Sequence, residues 1–246
     1  MKTTRNYCLT SIFFLSVSFT LGTLSGIFGQ EAHSDSFKRH LAEAERGDSF
    51  SQFLVGVDYQ NGTDVPKDLV ESANWFRKSA DQGNADGEYF LGRAYSLGEG
   101  VPRDYVQAAK WLRKAADQGL RPAQSRLGRA YLLGEGVPKD DVQAANWLRK
   151  AADQGDAEAM ASIGAIYTLG SEIEATKFPE GFKWLQTAAD LGSARAYACL
   201  GMLYYFGDHL PQNYVEAAKW FQSAVEKGYR GAGLFLGKRA FMPTFL

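Results

Sequence analysis

Three histidines, two cysteines and a glycine loop written twice are the residues of this 246-residue chain whose types suit chemistry. His33, His40 and His209 stand far apart, and none belongs to an H-E-x-x-H or C-x-x-C spacing that would set two ligands on one metal. Cys8 lies in an apolar leader. Cys199, between Ala198 and Leu200, has no adjacent cation to stabilise a thiolate. It reads as a small buried hydrophobe rather than a nucleophile. The loop "LGEGVP" starts at Leu97 and again at Leu133. Its glycines would suit a phosphate cradle, but the lysine that completes one does not follow. They read as turn residues. Asn61-Gly62-Thr63 matches a glycosylation acceptor. No catalytic, cofactor-binding or metal-binding constellation emerges from these residues.

The elements that carry them repeat. "LGEGVPRDYVQAAKWLRKAADQG" (97–119) returns almost unchanged as "LGEGVPKDDVQAANWLRKAADQG" (133–155). Trp75, Trp111, Trp147, Trp184 and Trp220 follow one another at 36, 36, 37 and 36 residues. Gly47, Gly83, Gly119, Gly155, Gly192 and Gly228 keep the same beat and divide the chain into units 48–83, 84–119, 120–155, 156–192 and 193–228. A single helix within 30–47 precedes them, and 229–246 reads as a closing half unit. A fixed period of this length marks a stacked array rather than a closed globule.

Each unit reads as two helices. In the second unit Glu88, Leu91, Gly92 and Tyr95 share one helical face. The central glycine recurs as Gly56, Gly92, Gly128, Gly164, Gly201 and Gly237. A mid-helix glycine costs about 1 kcal/mol against alanine, so its recurrence predicts close approach of a neighbouring helix. Gly98, Gly100 and Pro102 then break the helix, and Asp104 with Gln107 forms a capping box for the next. That second helix carries Tyr105, Ala108, Leu112 and Ala115 in one stripe with Trp111 at its shoulder, and Gly119 closes it in the left-handed conformation. Arg77–Asp81, Arg113–Asp117 and Arg149–Asp153 are expected as solvated i, i+4 pairs.

The positions Leu91, Gly92, Tyr95, Gly98, Gly100, Val101, Asp104, Ala108, Trp111, Ala115, Ala116 and Gly119, echoed from Leu127 to Gly155, resemble the Sel-one-like repeat, a relative of the tetratricopeptide repeat. The resemblance covers nearly everything after about residue 47. The expected fold class is therefore all-α, a right-handed α/α solenoid of helix-turn-helix repeats of about 36 residues. Asp64 and His209 replace the second loop glycine in units one and five, and "GSEIEATKFPEG" replaces the loop of unit four, whose turn should be irregular. The repeated cysteine pairs of some secreted bacterial members are absent, so no activity of that branch carries over.

The resemblance implies a concave face lined by first helices, on which such arrays bind partners. Residues just after each mid-helix glycine are expected to face it: Val57, Arg93, Arg129, Ala165, Met202 and Lys238, with Thr168 and Tyr205 among those a turn further on. Arg93 and Arg129 suit a carboxylate or an acidic peptide; Met202, Tyr205 and Phe206 suit an apolar shelf. The function so implied is a non-catalytic scaffold or adaptor for a protein or peptide. The alternative is an exported hydrolase acting on cell-envelope material.

Charge and the leader bound the rest. A formal net charge of −1, from 27 basic and 28 acidic side chains, is no footprint for nucleic acid. Lys2 and Arg5 precede an uncharged run from Asn6 to Gln30, with Gly26 and Gly29 before the charged "QEAHSDSFKRH". These are the parts of a secretory signal over 1–29, cleaved between Gly26 and Ala32, which predicts a periplasmic or secreted chain with no membrane insertion. The run is also long enough to remain as a membrane anchor.

Overall fold

In the computed structural model, residues 35–169 and 175–237 are described. The leader, the body of the unit-four loop, and Lys238 with the tail beyond it lie outside them. The described residues hold twelve α-helices and no strand. Helix α1 covers 35–45. Then come α2 (Ser49–Asn61), α3 (Leu69–Asp81), α4 (Ala85–Leu97), α5 (Tyr105–Asp117), α6 (Arg121–Leu133) and α7 (Asp141–Asp153). The series closes with α8 (Ala157–Leu169), α9 (Phe178–Asp190), α10 (Ala194–Phe206), α11 (Tyr214–Glu226) and the single turn α12 (Gly233–Leu236). Paired helices of equal length repeat along the chain, as an α/α solenoid requires.

The chain divides into two units. The first runs to Ala94 and includes Glu99–Pro102; the second comprises Tyr95–Gly98 and everything from Arg103. In the first unit α1 brings Phe37, Leu41 and the buried Ala44 against Val55 and Trp75. A Cβ on Gly56 would lie 2.6 Å from the Phe76 ring, so the mid-helix glycine admits the facing helix, as its recurrence predicts. Phe76 in turn packs on Phe53 and Phe90, with centroids 6.1 and 5.1 Å away. Two hydroxyls tie α3 to α2: Ser72 donates to the Gly56 carbonyl at 2.7 Å and Ser79 to that of Ser49 at 2.6 Å. Gln82 donates to the buried Gln52 amide oxygen at 2.7 Å, and Gln52 donates to the Ala44 carbonyl at 3.1 Å. Buried amides need such partners.

The second unit repeats these devices with other side chains. Gly128 faces Leu148, Gly164 faces Leu185 and Gly201 faces the Phe221 ring, each within 2.7 Å of where a Cβ would sit. Gln154 donates to Gln124 at 2.9 Å, and Gln124 to the Ala116 carbonyl at 3.2 Å, one repeat linked to the next. Phe221 and Phe235 stack at 4.7 Å over a core of Ala198, Ala217, Ala224 and Ala232. Besides its own partner α9, helix α8 packs on α10, so these two successive first helices lie against each other.

The loops correct two local expectations. Asp104 caps α5 by accepting from the Val106 and Gln107 amides. Its own N–H donates to the Tyr95 carbonyl at 3.0 Å rather than to Gln107, so the box is half made and the loop is closed onto the first helix instead. The same backbone bond joins Asp68 to Tyr59, Asp140 to Tyr131 and Asn213 to Tyr204. Arg113 donates to the Tyr131 hydroxyl and Arg149 pairs with Glu180, rather than with Asp117 and Asp153. Each guanidinium thus reaches the following repeat, beyond what spacing within one helix reveals.

Three further positions differ from expectation. Tyr105 is exposed at the start of α5, whereas Ala108, Leu112 and Ala115 are buried as the stripe predicts. Gly237 caps the short α12 and is not a mid-helix residue. Thr168 is buried and donates to the Gly164 carbonyl of its own helix at 2.8 Å, so it does not face a groove. The described part of the unit-four turn is irregular: a 3-10 turn over Ala175–Lys177 leads into α9 without a side-chain cap.

Candidate interaction surface

The surface positions belong to the ends of the first helices and the loops after them. In the first unit Gln60, Lys67, Phe90, Arg93 and Glu99 line a cleft of about 410 Å³. The Arg93 guanidinium lies 3.8 Å from the Glu99 carboxylate and 5.2 Å from the Phe90 ring centroid. In the second unit Ser96, Leu97, Tyr105, Arg126, Arg129 and Glu135 line a cleft of about 200 Å³ over a floor of alanines and Leu112. Six pairs of residues in the two clefts correspond one period apart: Gln60 with Ser96, Asn61 with Leu97, Leu69 with Tyr105, Phe90 with Arg126, Arg93 with Arg129 and Glu99 with Glu135. One architectural site is therefore written twice with different side chains.

The arginines singled out from sequence fall in these two clefts, Arg93 in the first unit and Arg129 in the second. Arg129 is exposed and has no partner among the described residues. Met202 and Tyr205 pack against the C-terminal apolar core, with the Tyr205 ring 5.5 Å from Tyr214 and 5.6 Å from Phe235. Phe206, beside Tyr205 at 5.2 Å, is 51% exposed. Of these three side chains, it is Phe206 that presents a largely open apolar surface.

Sequence reasoning missed the row to which Phe206 belongs. Leu97, Leu133, Leu169 and Phe206 are the last residues of α4, α6, α8 and α10, all in the second unit, and all are exposed, between 39% and 60%. The signal was available: a large apolar residue sits at one register directly before the loop that follows each of these helices. A second unrecognised regularity is the lysine three residues after tryptophan. Lys78, Lys114 and Lys150 lie 3.5, 4.0 and 4.0 Å above the Trp75, Trp111 and Trp147 rings, shielding indoles that are otherwise nearly buried.

Among the described residues, Cys199, His40 and His209 have structural surroundings; Cys8 and His33 lie outside them. Cys199 is buried, and loss of water pushes its thiol up to about 12, with Arg195 one turn earlier opposing only in part. His40 on α1 lies 3.8 Å from the Asp58 carboxylate on α2. Burial holds Asp58 above the usual carboxylate range, His40 opposes this and Asp64 adds to it. The His209 ring packs on Phe178 at a tilt of 33°, with ring centroids 4.6 Å apart. It thereby occupies a position where the second and third units carry glycine.

This geometry, with helix pairs on a fixed period, tight mid-helix glycines and capped loops, defines a helical-repeat protein. The Sel1 repeat model matches at 49–84, 85–120, 121–156, 157–193 and 194–229, and the chain belongs to the Sel1 repeat family. Among solved structures it is similar to a Sel1 repeat protein from Oxalobacter formigenes, with 28% identity, TM-score 0.74, and coverage of 85% of this chain and 84% of that one. It is also similar to a protective antigen present in uropathogenic Escherichia coli strains, which displays an SLR fold, at 34% identity and TM-score 0.71. That match covers 81% of this chain but only 43% of the antigen's length. A Sel1 repeat protein from Klebsiella pneumoniae shares the fold at 20% identity and TM-score 0.50, covering 80% of this chain and 96% of that one. Among curated proteins, none matches.

Proposed function

We propose that this chain is a non-catalytic interaction scaffold that binds a protein or peptide partner on the surface its first helices present. Repeat arrays offer extended surfaces of this kind, and Sel1 repeats are generally interaction modules. The observation that carries the reading is the exposed row Leu97, Leu133, Leu169 and Phe206. Large apolar side chains left open to water at one register of four repeats are what a partner-binding surface would use. The charged start and uncharged run of the leader support export as the setting.

A photo-cross-linking residue placed at Leu133, and separately at Val142 on the second-helix surface, tests the reading in cells that make the protein. We expect one defined adduct from position 133 and none from 142. Adducts from 142 alone, or equally from both, would refute a first-helix site.

A further inference from the structure

We infer that the cleft of the second unit binds an acidic, apolar peptide segment, taking a carboxylate on Arg129 and an adjacent apolar side chain on Leu97 and Tyr105. This rests on the interaction-scaffold reading and names the partner's chemistry. Three observations carry it.

The first is charge. Arg129 stands at the cleft with Glu135, and it makes no hydrogen bond or ion pair with that carboxylate or with any other described residue. An exposed arginine beside an apolar floor gives a carboxylate a fork of donors in partly water-excluded surroundings, where charge-assisted bonds strengthen.

The second is the cleft at the same register in the first unit. There the chain supplies its own carboxylate: Glu99 sits 3.8 Å from Arg93. Glu99 shows where an acid docks on the arginine of this architecture, so it stands in for the ligand carboxylate. In the second unit the corresponding Glu135 does not pair with Arg129, and the place is left to an external acid.

The third is size and lining. About 200 Å³ falls below the roughly 300 Å³ from which small-molecule sites begin, and suits one side chain of a longer segment. The floor is Ala108, Ala109, Leu112 and Ala130, while Leu97 and Tyr105 at the rim are 45% and 37% exposed. A residue that rests against Leu97, Tyr105 and this floor is therefore apolar, and the acid beside it reaches Arg129 on the polar side formed with Ser96, Arg126 and Glu135. The exposed Leu133, which follows on α6, continues the apolar track.

The test uses the full chain and three fluorescein-labelled ten-residue peptides: alternating Glu-Leu, alternating Lys-Leu, and Ser-Gln. Fluorescence anisotropy should rank Glu-Leu at least tenfold tighter than either of the others, with affinity falling as salt rises. Arg129→Glu should cost the Glu-Leu peptide at least tenfold and bring the Lys-Leu peptide above it, while Arg129→Lys keeps the original order. Arg129 lies outside the packed pattern, so both variants should melt with the parent; Arg129→Gln replaces the glutamate variant if that one does not. Equal binding of the acidic and basic peptides, or an unchanged Glu-Leu affinity in the folded variants, would overturn the inference. So would a concentration-dependent dimer, seen by sedimentation and abolished by Arg129→Glu, because a second copy would then be the occupant. If the peptide ranking fails while position 133 still cross-links, the scaffold reading stands and only the partner's chemistry falls.

Discussion

Two glycines in one loop separate the backbone from the packing contribution to stability. Gly134 and Gly136 lie between α6 and α7 with nearly identical φ of +71° and +72°. An alanine at either pays the left-handed penalty, about 1–2 kcal/mol for an ordinary residue. Their surroundings differ. A Cβ on Gly134 would meet Lys139 at 3.6 Å, an ordinary contact. On Gly136 it would fall inside the Tyr105 carbonyl group and 2.8 Å from the Val106 nitrogen. Both belong to the backbone of α5, which no rotamer change can move aside. Separation to the ~3.5–4.0 Å of a relaxed contact requires the loop to lift from the preceding repeat.

Overpacking of this kind adds about 1–3 kcal/mol. We therefore expect Gly134→Ala to cost about 1–2 kcal/mol and Gly136→Ala about 2–5 kcal/mol. Urea unfolding followed by tryptophan fluorescence measures both, with m-values compared because repeat arrays can lose cooperativity between neighbours. A difference under about 0.5 kcal/mol, within the range of unremarkable surface substitutions, would show that the second loop glycine serves φ alone and that the approach to Tyr105 carries no energy.

Two further expectations follow from buried groups. Cys199, with its thiol pushed up to about 12, should resist iodoacetamide at pH 8 in the native chain and react only in denaturant; mass mapping of the Cys199 peptide decides, and modification of native protein refutes the burial. Asp58 is raised above 3.8 by burial, so the folded chain holds its proton more tightly than the unfolded chain does. Its contribution is therefore most favourable below 3.8 and is lost as pH rises through the raised folded value. Asp58→Asn should flatten that slope in urea unfolding at stepped pH, and identical slopes for parent and variant would remove Asp58 as its source.

What could be read in the sequence was whatever one repeat contains. Period, helix pairs, Asp104 as a cap, Gly119 as a stop and the tight role of Gly56 or Gly128 all depend on residues close in the chain or at a fixed register. What could not be read depends on the next repeat. Arg113 has Asp117 as its neighbour in sequence but bonds Tyr131, because stacking brings the following first helix nearer than the next turn of its own. The Asp104 amide bonds the Tyr95 carbonyl because the loop folds back, and no propensity encodes that. Of the cleft arginines, Arg126 escaped notice, while Arg93 and Arg129 were identified by register alone. Their different states, Arg93 paired and Arg129 open, depend on whether a loop glutamate is placed to reach back.

The same logic localises specificity. Residues of the repeat pattern are committed to packing, so binding information must reside where register is fixed but residue type is not. At the register of Arg126 the next two repeats carry Ser162 and Cys199, both buried; at that of Arg129 they carry Ala165 and Met202, the latter packed on the C-terminal core. Positive charge at these positions therefore ends with α6, while the exposed apolar row runs on through Leu169 to Phe206. A partner that follows the row from Leu97 toward Phe206 meets a cationic site first and an apolar track afterwards. That order predicts that an occupant needs an acid at one end only, so a leucine-containing peptide with a single terminal Glu should bind as tightly in the anisotropy assay as the alternating Glu-Leu peptide.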